Sequence, residues 1–220
     1  MRKSQLIYQY IREQGAVSKQ DIVIGLGLSL PTITQNLNNL AELGLIDTSK
    51  KISNTGGRNA TAYSYIEKAR YAVGLYLNRH HINCVAVDLS GNVISLIRVR
   101  ENFDLNDDNY LRKIGETVEE VKKDTGLSDD RFLGVGIAVQ GLISDDGERV
   151  TYGLTLNFTG VTRADIAKYI PYHNRLFHDS AAAGYAEVWD RNDLDDAFYL
   201  SLSNSVGGAV IVANKIFEGE

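Results

Sequence analysis

The chain has 220 residues, 44% hydrophobic and 23% charged, with a formal net charge of −5, the balance of an ordinary globular protein. No apolar run approaches the roughly 18 residues that span a bilayer, and the polar N-terminal segment has no signal-peptide core, so no membrane partner is expected and the cytoplasm is the expected compartment. A lone cysteine, Cys84, excludes an internal disulfide and any multi-cysteine zinc site within these residues.

Helical spacing opens the chain. Leu6, Ile7, Tyr10 and Ile11 recur on one face of a 3.6-residue period, with Ser4 as the expected cap and Gly15 as the stop. Ser18-Lys19-Gln20-Asp21 has the form of a capping box for a second helix, which runs through Ile22, Val23 and Leu26 to Gly27. Ser29 starts a third, with Pro31 in its first turn, Ile33, Leu37, Leu40 and Leu43 on its buried face, and Gly44 at its end. Two short helices joined by Gly27-Leu28-Ser29 meet the requirement of a helix-turn-helix. The opposite face of the third helix carries Thr32, Thr34, Gln35, Asn36, Asn38 and Asn39. Such amides and hydroxyls can pair with base edges, Gln and Asn with adenine in particular, although an ordinary solvated helix face reads the same way.

Lys50 to Ser53 and Ala60 to Tyr65 then read as two strands of a hairpin around Asn54-Thr55-Gly56-Gly57-Arg58, with Lys50 and Lys51 at its base and Arg58 at its tip. A glycine-flanked arginine can enter a minor groove or clamp a phosphate. Three helices followed by a basic-tipped hairpin predict a winged helix-turn-helix over residues 1–70. Its expected DNA contacts are Ser29, Thr32, Thr34, Gln35, Asn38, Lys50, Lys51 and Arg58. Charge runs the same way: residues 1–70 hold nine Lys/Arg against five acids, a surplus of +4, and the remainder holds 14 against 23, or −9.

From Tyr71 the texture changes. Tyr71–Leu77, Ile82–Leu89 and Val93–Arg100 read as three antiparallel strands with a Ser90-Gly91-Asn92 turn. A helix follows, with Leu111, Ile114, Val118 and Val121 inward and Glu116, Glu119, Glu120, Lys122 and Lys123 outward. Phe132–Val139 is a further strand, Thr162 and Asp165 bracket a capped helix that ends before Pro171, Arg175–Phe177 is a strand and Ala181–Trp189 a helix. Phe198–Leu202 and Ala209–Val212 are strands again. This alternation predicts an α/β lobe of the ribonuclease-H type over residues 71–220.

Several segments, in this order, resemble the ROK family of repressors, open reading frames and sugar kinases, and its regulator branch in particular. They are the helix-turn-helix, Thr55-Gly56-Gly57-Arg58, Val73-Gly74-Leu75, Gly134-Val135-Gly136-Ile137, Leu156-Asn157-Phe158, His178-Asp179-Ser180-Ala181-Ala182-Ala183-Gly184 and Val206-Gly207-Gly208-Ala209. The resemblance covers almost the whole chain. It implies an α/β fold with an α+β head: a winged helix-turn-helix, then a ribonuclease-H-like, actin-like sugar-kinase lobe and the start of a second lobe.

Kinases of the family carry an Asp-x-Gly-Gly-Thr hairpin after the first strand and a Gly-Thr-Gly-type phosphate loop. Tyr76-Leu77-Asn78-Arg79-His80 stands at the first, without the Asp or either glycine, and Ser203-Asn204-Ser205-Val206-Gly207-Gly208 keeps two glycines of the second. Phosphotransfer is therefore not expected and no catalytic residue is assigned. On the sugar side the resemblance implies contacts from Asp179, Asn157 and His178, the last standing where the kinases have Asn; an N-cap of the Ala181 helix is an equal reading of Asp179. Family members continue into a second lobe with a zinc site of one His and three Cys. Neither is found in these residues, so an incomplete second lobe and no cofactor are expected. The implied function is sugar-responsive regulation of carbohydrate genes, with duplex DNA, a sugar or sugar-phosphate effector, and a homodimer or higher homo-oligomer as partners. The alternatives are a sugar kinase with an appended head, or a DNA binder that no sugar induces.

Overall fold

The computed structural model describes residues 2–52, 60–190, 195–202 and 206–217. It divides into two units, Met1–Arg70 and Tyr71–Glu220, each of which is described by itself.

In the first unit, helices α1 (Lys3–Gln14), α2 (Lys19–Leu26) and α3 (Leu30–Glu42) enclose a core of Ile7, Ile11, Val17, Ile22, Ile33, Leu37, Leu40 and Ile46. Burial of each large aliphatic side chain contributes roughly 1.5–3 kcal/mol. The Ser18–Asp21 box forms in both directions: the Ser18 hydroxyl accepts from the Asp21 N–H at 3.2 Å, and the Asp21 carboxylate accepts from the Ser18 N–H at 2.8 Å. Gly27 closes α2 in the left-handed conformation, φ 62°. Two details differ from expectation. Helix α1 begins one residue before Ser4, with Arg2 as its N-cap and the Gln5 carboxamide accepting from the Arg2 N–H. Leu43 follows α3 and is 48% exposed, because the chain has left the helical period by then.

The hairpin region is also more divided than expected. Strand β1 (Ile46–Asp47) pairs with β4 (Ser64–Tyr65), β2 (Lys51–Ile52) pairs with β3 (Ala60–Thr61), and Val17 bridges Tyr63. The run from Ala60 to Tyr65 thus serves two partners, and its Val17 and Ile46 contacts attach the hairpin to the helices. Arg58 and the rest of the tip lie outside the described residues.

In the second unit the central sheet has strand order β11-β8-β5-β6-β7. Its members are β5 (Tyr71–Leu77), β6 (His81–Asp88), β7 (Val93–Arg100), β8 (Phe132–Val139) and β11 (Asn174–His178). The first three run antiparallel, while β5, β8 and β11 are parallel, so the ends of those three strands open on one side. Helix α4 (Asp108–Asp124) covers one face with Leu111, Ile114, Val118 and Val121, as its period predicts. Lys122 is a correction: it is buried beside that face, not solvated. Strands β9 (Leu142–Ile143) and β10 (Val150–Tyr152) form a small hairpin, and α5 (Arg163–Ile166) is a single turn on the Thr162–Asp165 capping box. Helix α6 (Asp179–Asp190) begins two residues earlier than expected and packs on a second antiparallel sheet of β12 (Ala197–Leu202), β13 (Val206–Val212) and β14 (Lys215–Phe217). Among the described residues no helix is long and apolar enough to cross a membrane.

Candidate nucleic-acid interface and ligand cavity

Helix α3 is built to bury one stripe and show another. Ile33, Leu37 and Leu40 are at most 4% exposed, and the opposite stripe holds Thr32, Gln35 and Asn38 at three-residue spacing. Gln35, Asn38 and Asn39 are exposed, whereas Thr32 and Thr34 are half-buried. Ser29 is the N-cap, its hydroxyl accepting from the Thr32 N–H and lying 2.9 Å from the Thr32 hydroxyl. Asn36 is turned back on the helix, its Nδ2 donating to the Thr32 carbonyl at 2.7 Å. The side chains left facing solvent are amides with both donor and acceptor capacity, and α3 has no charged residue before Glu42. Lys51 opens β2 and Lys50 precedes it; both are exposed, and the Lys51 Nζ donates to Thr61 Oγ1 at 3.1 Å across the β2–β3 pair.

The second unit holds a cavity of about 220 Å³ where the parallel strands end. Ligands in open α/β sheets bind at that end. Tyr76 comes from β5, Gln140 and Gly141 follow β8, His178 and Asp179 join β11 to α6, and Ser201 and Gly207 come from the second sheet. Gln140 Nε2 donates to the Tyr76 hydroxyl at 3.3 Å. Asp179 Oδ1 accepts from the Ser180 N–H at 2.7 Å and lies 3.5 Å from His178 Nε2. Burial pushes the Tyr76 phenol above its ordinary pKa, and the nearby Asp179 charge adds to the effect. Gly207 approaches the Ser180 hydroxyl so closely that any Cβ there would displace it.

Asp179 and His178 thus line one cavity, with Leu154 and Thr155 from the Gly153–Gly160 loop. Asn157, in the same loop, does not line it; it is exposed in a left-handed turn, φ 55°, its N–H donating to the Leu154 carbonyl. Tyr76 and Gln140 are cavity residues that the sequence reading did not assign. The signal for them is positional: each stands at the end of a strand that pairs in parallel. The β5–β6 turn adds a chemical fact. Asn78 Oδ1 accepts from the backbone N–H groups of His80, at 3.0 Å, and His81, at 2.9 Å. Among the described residues no cluster of metal-ligating side chains forms.

A family model described as ROK family matches residues 72–220. The xylose repressor of Bacillus subtilis (strain 168) is 21% identical over 220 residues, covering 97% of this chain and 56% of the relative. The DNA-binding transcriptional dual regulator NagC of Escherichia coli (strain K12) is 21% identical over 238 residues, covering 98% and 54%. Among solved structures, a ROK family transcriptional regulator that is a homolog of the E. coli MLC protein superposes with a TM-score of 0.77 at 19% identity, over 98% of this chain and 55% of that one. A ROK family glucokinase from Streptomyces griseus, in complex with glucose and AMPPNP, gives 0.56 at 18% identity over 68% and 47%. The chain spans about half the length of the curated relatives it matches. The fold of the whole chain is that of the regulator, and that of its second unit is shared with the kinase.

Proposed function

The chain belongs to the ROK family, and on that premise we propose that it is a sequence-specific DNA-binding repressor of carbohydrate-utilisation genes whose second unit holds a sugar without phosphorylating it. The observation that carries the reading is the exposed stripe of α3, an uncharged row of amides on the second helix of a helix-turn-helix. Gln35 and Asn38 pair with base edges in the major groove, with Ser29, Thr32 and Thr34 supporting them at the helix start. Lys50, Lys51 and Arg58 serve the phosphate backbone and minor groove. A relative named a xylose repressor and one named a DNA-binding transcriptional dual regulator, at 97–98% coverage of this chain, support the assignment.

Residues 71–220 are the effector unit. Asp179 and His178 bind sugar hydroxyls, and Asn157, on the loop that carries the lining residues Leu154 and Thr155, is the further contact that the family resemblance implies. Bound sugar biases the disposition of paired heads in a homodimer and so weakens affinity for a two-fold operator, which is allostery as differential affinity of two states. Against the kinase reading stands Asn78: its carboxamide already takes two N–H groups of the hairpin that would have to approach a phosphate. The test is selection from a pool of random duplexes at two salt concentrations, followed by sequencing. An enriched half-site is expected, and Gln35→Ala should relax preference at one position by about 1–3 kcal/mol. No enrichment, or turnover of ATP with a hexose panel, would reject the proposal.

A further inference from the structure

We infer that Leu30 reads the 5-methyl group of a thymine, so that the half-site bound by this chain carries a thymine near the base that Gln35 pairs with. The inference rests on the DNA-binding reading above and names one chemical feature of the duplex.

Position comes first. Leu30 follows the N-cap Ser29 and is the first residue of α3. The leucines just before it, Leu26 and Leu28, pack against the core of the first unit. Leu30 is 52% exposed, although Ile33, one turn further on, is fully buried. A single apolar side chain on a surface needs no explanation in itself, so its place decides. In a helix-turn-helix the N-terminal residues of the second helix are those that meet base edges. Leu30 stands at that end, one turn before Thr34 on the same side of α3.

The surroundings come second. Polar groups at this end are engaged with one another. The Ser29 hydroxyl lies 2.9 Å from that of Thr32 and accepts the Thr32 N–H, while Asn36 Nδ2 donates to the Thr32 carbonyl. Pro31, also exposed, has no N–H to offer. What the helix start adds to the amides of Gln35 and Asn38 is therefore an aliphatic surface.

Chemistry then selects the group on the DNA. Base edges in the major groove present donors and acceptors, and their one apolar group is the thymine 5-methyl. An isobutyl group pressed on the amino group of cytosine or adenine would strip water from a donor and return no bond. Against the thymine methyl both surfaces gain by leaving water. Phosphate oxygens find no partner in Leu30, so it is no backbone contact. Five residues separate Leu30 from Gln35 in sequence. That is about 7.5 Å of helix rise, or roughly two base-pair steps, which sets the distance of the thymine from the base that Gln35 reads.

The experiment takes the duplex that the full chain selects and replaces each thymine of its half-site in turn by deoxyuridine, which pairs alike and lacks only the methyl. At one position the native chain should bind about three- to tenfold more weakly, read by fluorescence anisotropy. Leu30→Ala should lose the same factor on the thymine duplex and nothing further on deoxyuridine. Alanine is the best helix former and the site is exposed, so the fold should survive, which the melting temperature checks. Three results overturn the inference and leave DNA binding standing: a native chain indifferent to deoxyuridine at every position, a Leu30→Ala chain that still senses it, or a selected half-site without thymine. If no duplex is selected at all, the DNA-binding reading falls and this inference with it.

Discussion

Lys122 shows how one side chain can leave the place its helical period assigns. Expected on the solvent side of α4, it is 8% exposed; its Nζ donates to the Tyr172 hydroxyl at 2.8 Å and pairs with Asp129 at 2.9 Å. It also lies 4.2 Å from the Tyr172 ring centroid and 5.2 Å from that of Phe132. Burial opposes its charge, but these bonds outweigh burial and hold its pKa above the usual lysine range. Lys122→Ala removes both the charge and the stem and should lower stability in urea by about 1–3 kcal/mol. Lys122→Met keeps the stem and should lose less than half as much; equal losses would mean that the stem packs on nothing. Asp108 gives the pH counterpart. Hydrogen bonds from Lys168 and Tyr169, then Arg112, hold its carboxyl at about 2, below its ordinary 3.8. A depressed folded pKa means that the contribution is full above about pH 4 and is lost as the pH falls toward 2. The stability gap between the native chain and Asp108→Asn, present at pH 7, should therefore close by pH 2. A gap unchanged at pH 2 would assign the loss to packing.

Elements differ in how local their determinants are. Gly115 sits in mid-α4, where helix propensity alone favours alanine by about 1 kcal/mol. A Cβ there would strike the backbone carbonyl of Tyr169, and backbone cannot swing aside. Gly115→Ala should therefore lower the melting temperature, and a rise would show that the Tyr169 segment yields. That contact, like the Lys168 and Tyr169 bonds to Asp108, joins positions more than 50 residues apart, which no window of sequence displays. What was legible was local: the Ser18–Asp21 box, the Ile33/Leu37/Leu40 stripe, and the alternation of β5 to β8. The split of Ala60–Tyr65 between Ile46–Asp47 and Lys51–Ile52 was not, because two short strands compete for one run. The cavity was half legible. His178 and Asp179 lie in a recognisable segment, whereas Tyr76 and Gln140 join them only through parallel pairing of β5, β8 and β11. Asn157 lies off the lining although Leu154 and Thr155 of its loop are on it; it is exposed in a turn of positive φ, a backbone choice that residue type alone does not fix.

For the molecule as a whole the largest asymmetry is charge, +4 in residues 1–70 and −9 in the remainder. If DNA is the partner, the acidic unit contributes repulsion, and attraction comes from a few cations on the first unit that each displace condensed counterions. Affinity should then fall steeply with salt, while the neutral amide stripe of α3 discriminates between sequences without steepening that fall. The two roles separate by mutation. Lys50 is exposed at the base of the hairpin, so Lys50→Ala should reduce the slope of log affinity against log salt by about 1 and weaken all sequences alike. Gln35→Ala should leave the slope intact and narrow the gap between preferred and random duplexes. An unchanged slope in Lys50→Ala would place that residue away from the phosphates and shift the electrostatic work to Lys51 and Arg58. A reduced slope in Gln35→Ala would mean that α3 lies along the backbone, not in the groove, and the assignment of base reading to its amides would fail.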